Sequence, residues 1–251
     1  MRVFGLIGYP LEHSFSPGYF REKFRREGID AEYRLFPLET IGAFPGLMKE
    51  YPSLEGLNVT LPYKKQIISY LDRLSDEASQ IGAVNTLFFH QVSGNIHAIS
   101  GHNTDVWGFT RSIRPLLKSH DHLALVLGTG GSSAMVGYAL RKLGMAPLFA
   151  TRSKHPSPGS ISYSQLTPRE LSRYTVIVNT TPVGMYPHVD EKPPIPYSAI
   201  GPDHLLFDLV YNPPQTRFLQ EGKKRDARVK NGSQMLCLQA EKSWEIWNST
   251  T

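Results

Sequence analysis

The stretch LALVLGTGGSSAMVGYALRKLG, residues 123–144, constrains this chain more than any other. An unbroken apolar run reads as a strand buried on both faces. Glycines follow at once, and a helix-period segment begins without an intervening loop. Such a junction brings the backbone N–H groups of Gly128, Thr129, Gly130, Gly131 and Ser132 to a helix N-terminus. There the dipole and the unpaired N–H groups favour an anion such as a dinucleotide pyrophosphate. The pattern departs from G-x-G-x-x-G, because Ser133 stands where the third glycine would be. A small side chain there still allows helix and strand to approach.

An ordinary glycine turn would look similar, so the end of the next strand matters more. In APLFATRSK the strand runs out into Thr151, Arg152, Ser153 and Lys154, with no acid. An NAD site places Asp or Glu here to accept from the ribose 2′-hydroxyl. A guanidinium, hydroxyls and a lysine suit a 2′-phosphate instead, which a carboxylate would repel. The expected cofactor is therefore NADP(H).

Around this core the 251 residues alternate strand-like and helix-like segments, which predicts parallel sheets in an α/β fold. VFGLIG, AEYRLFPL and GLNVT read as strands. Ser16 reads as an N-cap before Pro17, opening a helix that Gly28 stops. SDEASQIG is a short helix capped by Ser75, and AVNTLFFH and NIHAISG flank a hairpin turn at Ser93–Gly94. Trp107, Phe109, Ile113 and Leu116 recur at helical spacing. YTVIVNT and HLLFDLVY read as further strands, SKHPSPGSIS and PHVDEKPPIP as loops, and GSQMLCLQAEKSWEIW as a terminal amphipathic helix. The chain reads as two domains hinged near residue 105.

Composition removes several classes. Net charge is +5, from 27 Lys and Arg against 22 Asp and Glu, without the clustered cations and interleaved aromatics of a nucleic-acid surface. A mild surplus suits a small acidic substrate or a phosphorylated cofactor equally well. The single cysteine, Cys237, reads as a buried thiol and rules out an internal disulfide. His, Cys and Asp nowhere show metal-ligand spacing, so no metal is expected. No apolar run reaches the ~18 residues of a membrane span, and MRVFGLIGYP suits a first strand better than a leader. A cytoplasmic protein is expected, monomeric or homodimeric.

One placement needs explaining. In GLNVTLPYKK, residues 56–65, a buried strand ends at Pro62 and two lysines follow. Cations oppose the dipole of a helix about to start, so solvation alone is a poor reason for both.

The segments GYPLEHSFSP (8–17), NVTLPYKK (58–65), GAVNTL (82–87), GHNTD (101–105), GTGGSS (128–133), NTTPVGM (179–185), DLVYNPPQT (208–216) and NGSQMLCLQA (231–240) complete the picture. In this order they resemble the motifs of shikimate dehydrogenases, over essentially the whole chain. The resemblance implies an N-terminal α/β substrate-binding domain, residues 1–104, completed by a C-terminal helix at 233–251. It also implies a Rossmann-type NADP-binding domain at 105–232. The implied reaction is NADPH-dependent, reversible reduction of 3-dehydroshikimate to shikimate on the route to aromatic compounds.

Residue by residue, the resemblance assigns catalysis to Lys64 and Asp105, with Lys65 a bystander. Ser14 and Ser16 match the serines that bind the substrate carboxylate, and Ser16 can cap its helix as well. Thr60, Asn85 and Asp105 match contacts to ring hydroxyls, although Asn85 also reads as a turn residue. Tyr211 and Gln239 match the remaining substrate contacts, while Trp244 and Trp247 suit a core. Leu209 and Gly232 fall near the nicotinamide, with Thr180 and Met185 beneath it. Asp76 matches a cofactor contact and equally reads as a first-turn acid. His13 and His102 lie within matched motifs and read as structural. The family commonly shows Asn-Arg-Thr where this chain has Thr151-Arg152-Ser153, and the chain is slightly short, with the compression in loops of the second domain. A quinate/shikimate dehydrogenase with relaxed cofactor use and an idle NADP-binding paralogue stay open as alternatives.

Overall fold

The computed structural model describes every residue except His13, Ser93, Gly94, Thr250 and Thr251, so the expected hairpin turn and the reading of His13 lie outside the described residues. The chain divides into two compact units, Met1–Trp107 with Leu236–Thr251, and Gly108–Met235. Both divisions fall three residues beyond the sequence-based boundaries, inside helices rather than at their starts.

The first unit contains β1 (Arg2–Gly8), α1 (Ser16–Glu27), β2 (Ala31–Pro37), α2 (Phe44–Glu50), β3 (Leu54–Val59), β4 (Arg73–Leu74), α3 (Asp76–Ile81), β5 (Thr86–Val92) and β6 (Asn95–His102). At its edge begins α4 (Thr104–Ile113). The strands form one sheet in the order β2-β1-β3-β5-β6-β4. β1 runs parallel to β2 and β3, but β5 runs antiparallel to both β3 and β6. The alternation of β and α predicts the parallel pairings, and the runs AVNTLFFH and NIHAISG predict the antiparallel one between β5 and β6. β5 and β6 are consecutive strands, and their antiparallel pairing accounts for the reversal of direction.

Each face of this sheet carries its own core, as a period of two requires. Ile7, Leu57, Val59, Leu87 and Phe89 belong to one cluster, and their neighbours Phe4 and Phe88 to the other. The second cluster is aromatic: Phe4 stacks on Trp247 with ring centroids 4.8 Å apart, and Phe20 stacks on Tyr33 at 4.6 Å. Burying each such ring contributes about 2–3 kcal/mol before entropy is counted.

The second unit contains β7 (Leu123–Leu127), α5 (Gly131–Lys142), β8 (Ala146–Thr151), β9 (Ser160–Ser162), α6 (Pro168–Leu171), β10 (Val176–Asn179), β11 (Leu205–Asp208), α7 (Arg217–Lys223) and β12 (Arg228–Lys230). Its sheet is parallel throughout, in the order β12-β11-β10-β7-β8-β9. Counted within the unit this is the 3-2-1-4-5-6 arrangement of a dinucleotide-binding sheet, with its switch point between β7 and β10. The central strands β10 and β11 are buried along their whole length, which is why VIVN and LLFD read as continuous runs. β9 occupies the end of SKHPSPGSIS, a segment expected to be loop throughout.

The last helix, α8 (Ser233–Trp247), returns to the first unit. Its Trp247 indole N–H donates to the carbonyl of Leu87 at 2.9 Å. The ring lies against Gly56, where a Cβ would meet the indole nitrogen at 2.2 Å. Trp247 is thus core, as its spacing suggested. No helix among the described residues is long and apolar enough to cross a membrane.

Candidate active site

The Lys64 ammonium donates to Asp105 Oδ2 at 2.6 Å. Local folding explains how residues 41 apart meet. After β3 the chain turns at residues 61–65, and Tyr63 anchors that turn, buried with its hydroxyl donating to the Leu38 carbonyl at 2.5 Å. The Lys64 carbonyl accepts from the Val84 N–H at 2.7 Å, which ties the turn to the GAVNTL segment. On the other side Asn103 caps α4 by accepting from the Val106 N–H at 3.2 Å. Asp105 therefore sits in the first helical turn, where the dipole favours its negative charge.

The two side chains are 28% and 16% exposed, so the pair is sheltered but reachable. Lys65 points to solvent. The lysines precede a short 3-10 turn at Gln66–Tyr70 rather than opening an α-helix.

Beside the pair lies a buried polar network. Asn85 Oδ1 accepts from the Thr104 N–H at 2.7 Å, and Asn85 Nδ2 donates to Thr104 Oγ1 at 3.0 Å. Asn85 thereby clamps the start of α4 instead of shaping a turn. Asn58 Nδ2 reaches Thr86 Oγ1 at 3.2 Å and Ser243 Oγ at 2.9 Å. Gln239 is nearly buried on α8, its amide donating to the Leu236 carbonyl at 2.9 Å. Ser14 and Thr60 are partly exposed, and Asp76 is exposed in the first turn of α3.

Ser16 is not an N-cap. Phe15 holds that position, and Ser16 opens α1 with Pro17 second, a placement proline tolerates equally well. His102 is tied through Ser100 to His90, with both nitrogen–oxygen distances 3.1 Å, and burial lowers its basicity. Cys237 is half-buried on α8, and burial pushes its thiol pKa up.

In the second unit the glycine loop joins β7 to α5 as expected. Gly128 has φ of +115°, and its N–H donates to the Ala150 carbonyl at 2.9 Å. Gly130 is the N-cap of α5 and has no side chain to satisfy the first N–H groups. A Cβ at Gly130 or Gly131 would meet nothing within 4 Å, so packing does not demand glycine there. Open space over unsatisfied N–H groups is what a pyrophosphate requires. Ser133 is buried, and its hydroxyl lies 2.7 Å from that of Thr180, which donates onward to the Leu127 carbonyl. The close helix–strand approach falls one turn later, at Gly137, where a Cβ would meet Phe149 Cζ at 2.5 Å.

Beyond β8, Arg152, Ser153 and Lys154 are exposed and Thr151 is half-buried. A cavity of about 480 Å³ opens there, lined by Thr129, Ser133, Phe149, Thr151, Ser153 and His155 among others. Its hydroxyls, the cations beside it and the missing acid fit a 2′-phosphorylated adenosine. Leu209 and Gly232 lie together: the Gly232 N–H donates to Val210, and a Cβ at Gly232 would meet the Leu209 carbonyl oxygen at 2.2 Å. Tyr211 and Met185 belong to this same unit, Met185 with its side chain exposed. Among the described residues no group of three or more His, Cys, Asp or Glu could hold a metal ion.

Residues 6–87 match the family model described as the shikimate dehydrogenase substrate binding domain. The shikimate dehydrogenase (NADP(+)) of Clostridium beijerinckii is 36% identical over 255 residues, covering 98% of this chain and 92% of the relative. The chain belongs to the shikimate dehydrogenase family. Solved structures agree. Shikimate 5-dehydrogenase from Thermus thermophilus, in complex with NADP(H) and shikimate, superposes with a TM-score of 0.85 at 31% identity, covering 99% and 94% of the two chains. The quinate dehydrogenase of Corynebacterium glutamicum in complex with NAD gives 0.87 at 26% identity, covering 98% and 93%.

Within this member of the shikimate dehydrogenase family, Asp208 escaped the sequence reading. It ends β11 fully buried and accepts from the Thr216 hydroxyl at 2.5 Å, Asn179 Nδ2 at 2.9 Å and the Val210 N–H at 3.0 Å. Asn179 Oδ1 in turn accepts from the Thr181 hydroxyl at 2.6 Å. The carboxyl thus fastens the loops after β10 and β11 to each other. Burial pushes its pKa up to about 6, against the opposing pull of those three donors. An acid closing a wholly apolar strand, as in LLFD, was the available signal.

Proposed function

We propose that this chain is an NADP(H)-dependent shikimate dehydrogenase that interconverts 3-dehydroshikimate and shikimate in the biosynthesis of aromatic compounds. The observation that carries the reading is the sheltered 2.6 Å pair of Lys64 and Asp105, set in a chain that aligns along nearly its full length with enzymes of that name. The first unit would bind substrate and the second NADP(H). A small polar substrate and a soluble cofactor fit a cytoplasmic site of action.

NADPH, when bound, supplies the hydride to the ring carbonyl carbon. Lys64 gives a proton to the carbonyl oxygen as negative charge develops on it, and takes that proton back in the reverse direction. Asp105 holds the ammonium in place and accepts from a ring hydroxyl. Ser14 and Ser16 receive the carboxylate. Thr60, Asn85, Tyr211 and Gln239 bind the rest of the ring and its hydroxyls. On the cofactor side, the backbone of residues 128–132 takes the pyrophosphate. Thr151, Arg152, Ser153 and Lys154 would read the 2′-phosphate, and Leu209 and Gly232 would border the nicotinamide.

A quinate dehydrogenase using NAD has the Corynebacterium structure in its favour. The acid-free end of β8 argues against it, because no carboxylate stands there to accept from a 2′-hydroxyl while Arg152 and Lys154 suit a 2′-phosphate. One spectrophotometric assay separates the readings, with shikimate and quinate each offered NADP+ and NAD+. Turnover is expected with shikimate and NADP+ above the other three pairs. Arg152→Ala is expected to weaken NADP+ by about 1.5–3 kcal/mol more than NAD+, the range for one charge-assisted contact. Preference for quinate and NAD+ would reverse the assignment, and NADP+ binding without turnover would make the protein an idle paralogue.

A further inference from the structure

Ser243 has no part in the functional reading, yet several of its partners lead to candidate substrate residues. It lies on α8, fully buried, one turn after Gln239. Its hydroxyl donates to the Gln239 carbonyl at 3.0 Å. Having given its one proton there, the oxygen can only accept from its other neighbours. Its two lone pairs take Asn58 Nδ2 at 2.9 Å and one of two hydroxyls, Thr86 Oγ1 at 2.8 Å or Thr104 Oγ1 at 3.2 Å. Thr104 precedes Asp105 and is clamped by Asn85. Asn58 Oδ1 accepts from the Tyr33 hydroxyl at 2.8 Å. Gln239 and Asn85 are therefore strung on one buried network with Ser243 at its node, and Thr104 brings the turn that carries Asp105 to it.

The spacing along α8 gives the node a purpose. Trp247 sits against Gly56 and bonds Leu87, while Ser243 bonds Asn58 and Thr86. Four helical residues advance about 6 Å, and two strand residues advance about 6.6 Å. Helix and strand therefore keep step, Trp247 over Gly56 and Ser243 over Asn58. One more step carries Gln239 to the level of Thr60.

We infer that Ser243 is a positioning residue that pins the register of α8 on β3, so that Gln239 and the Asp105 turn are presented to the substrate together. The inference rests on the shikimate dehydrogenase reading. A helix slipped along the sheet would carry Gln239 away while Lys64 and Asp105 stayed paired, so substrate binding should suffer and the chemical step should not.

The test uses the full chain, with shikimate binding measured by calorimetry without cofactor, steady-state constants and melting temperature. Ser243→Ala is expected to raise the Kd and KM for shikimate about 5- to 20-fold, as loss of a buried hydrogen-bond node implies. kcat should stay within about twofold, and KM for NADP+ should not move. Thr104→Val, which keeps the shape and removes one hydroxyl of the network, should show the same split, and Thr104→Ser should restore wild-type binding. Should Ser243→Ala fail to fold, the two Thr104 variants carry the comparison. A lower melting temperature with unchanged shikimate Kd in Ser243→Ala or Thr104→Val would reduce the network to fold maintenance and overturn the inference. Folded wild-type protein that binds no shikimate would instead overturn the functional reading beneath it.

Discussion

The two units build their candidate sites from different material. In the first unit the chemistry belongs to side chains: the Lys64–Asp105 pair and the Asn58–Asn85–Thr86–Thr104–Ser243 network are bonds between named functional groups. In the second unit the loop from Gly128 to Ser132 offers mainly backbone, with open space beside Gly130 and Gly131. A side-chain site depends on residue identity and tolerates small backbone shifts. A backbone site depends on conformation and on side chains staying small. Substitutions should therefore fail differently in the two halves, by lost chemistry in one and by lost room in the other.

The largest effect is expected where a single functional group does the work. Hydride delivery without a proton leaves an alkoxide, and a positioned general acid is typically worth about 10²–10⁴-fold. Lys64→Ala should lower kcat by about that factor with shikimate KM little changed, the mark of an interaction made mainly in the transition state. Lys65→Ala, one residue along and solvent-facing, should leave kcat within about twofold. Losses from Lys64→Ala and Asp105→Ala should not add, because the pair acts as a unit. Steady-state kinetics of the four proteins checks this, and a crippled Lys65 variant beside a mild Lys64 variant would move the proton donor by one residue.

The second unit does contain one side chain on which much depends, and it tests the contrast from the other side. Asp208 has its pKa raised from 3.8 to about 6 by burial. A group raised in the folded state stabilises fully below its unfolded pKa, and that contribution is lost as pH rises through the folded value. Compared with Asp208→Asn, which does not titrate, the wild type should gain stability as pH falls from 7 to 4. The gain over that range should be roughly 2 kcal/mol for a shift of this size, approaching 3 kcal/mol only below pH 3. Urea unfolding of both proteins across that range measures it, since other titrations cancel in the difference. A pH-independent difference would mean that the three donors outweigh burial and that Asp208 stays ionised throughout.

The same contrast governs what could be read from the sequence. Lys64 and Gly128 stood out because propensity does not put a cation or a glycine-rich junction straight after a buried strand. Asp105, an acid in a first helical turn, was singled out only by the family resemblance. The parallel core of the second unit was legible because a strand covered on both faces is a plain apolar run, as in LALVL and VIVN. The strands β4, β9 and β12 and the helices α6 and α7 left little trace, since elements of two to seven residues span too little of a period. Ser16 was misplaced by one position because proline suits the first and second helical residues alike. The network around Ser243 joins residues up to 185 apart in the chain, and no local pattern of serines, threonines and asparagines foretells which of them will meet.

The smallest effects should separate room from packing within α5 itself. Gly137 is pressed against Phe149, and a Cβ there would lie 2.5 Å from a ring carbon. Gly137→Ala should therefore destabilise the protein by about 1–3 kcal/mol, as overpacking does, while NADP+ affinity of the folded fraction stays near wild type. Gly130, seven residues earlier, faces open space, so Gly130→Ala should cost under about 1 kcal/mol, chiefly from placing alanine at an N-cap. Its added methyl would instead stand where the pyrophosphate approaches the backbone, and NADP+ affinity should fall at least tenfold. Melting curves and cofactor titrations on both variants decide the matter. If Gly130→Ala bound NADP+ as tightly as the wild type, the open space over the α5 N-terminus would not be the pyrophosphate seat, and the side-chain cluster at Thr151–Lys154 would have to hold the cofactor without it.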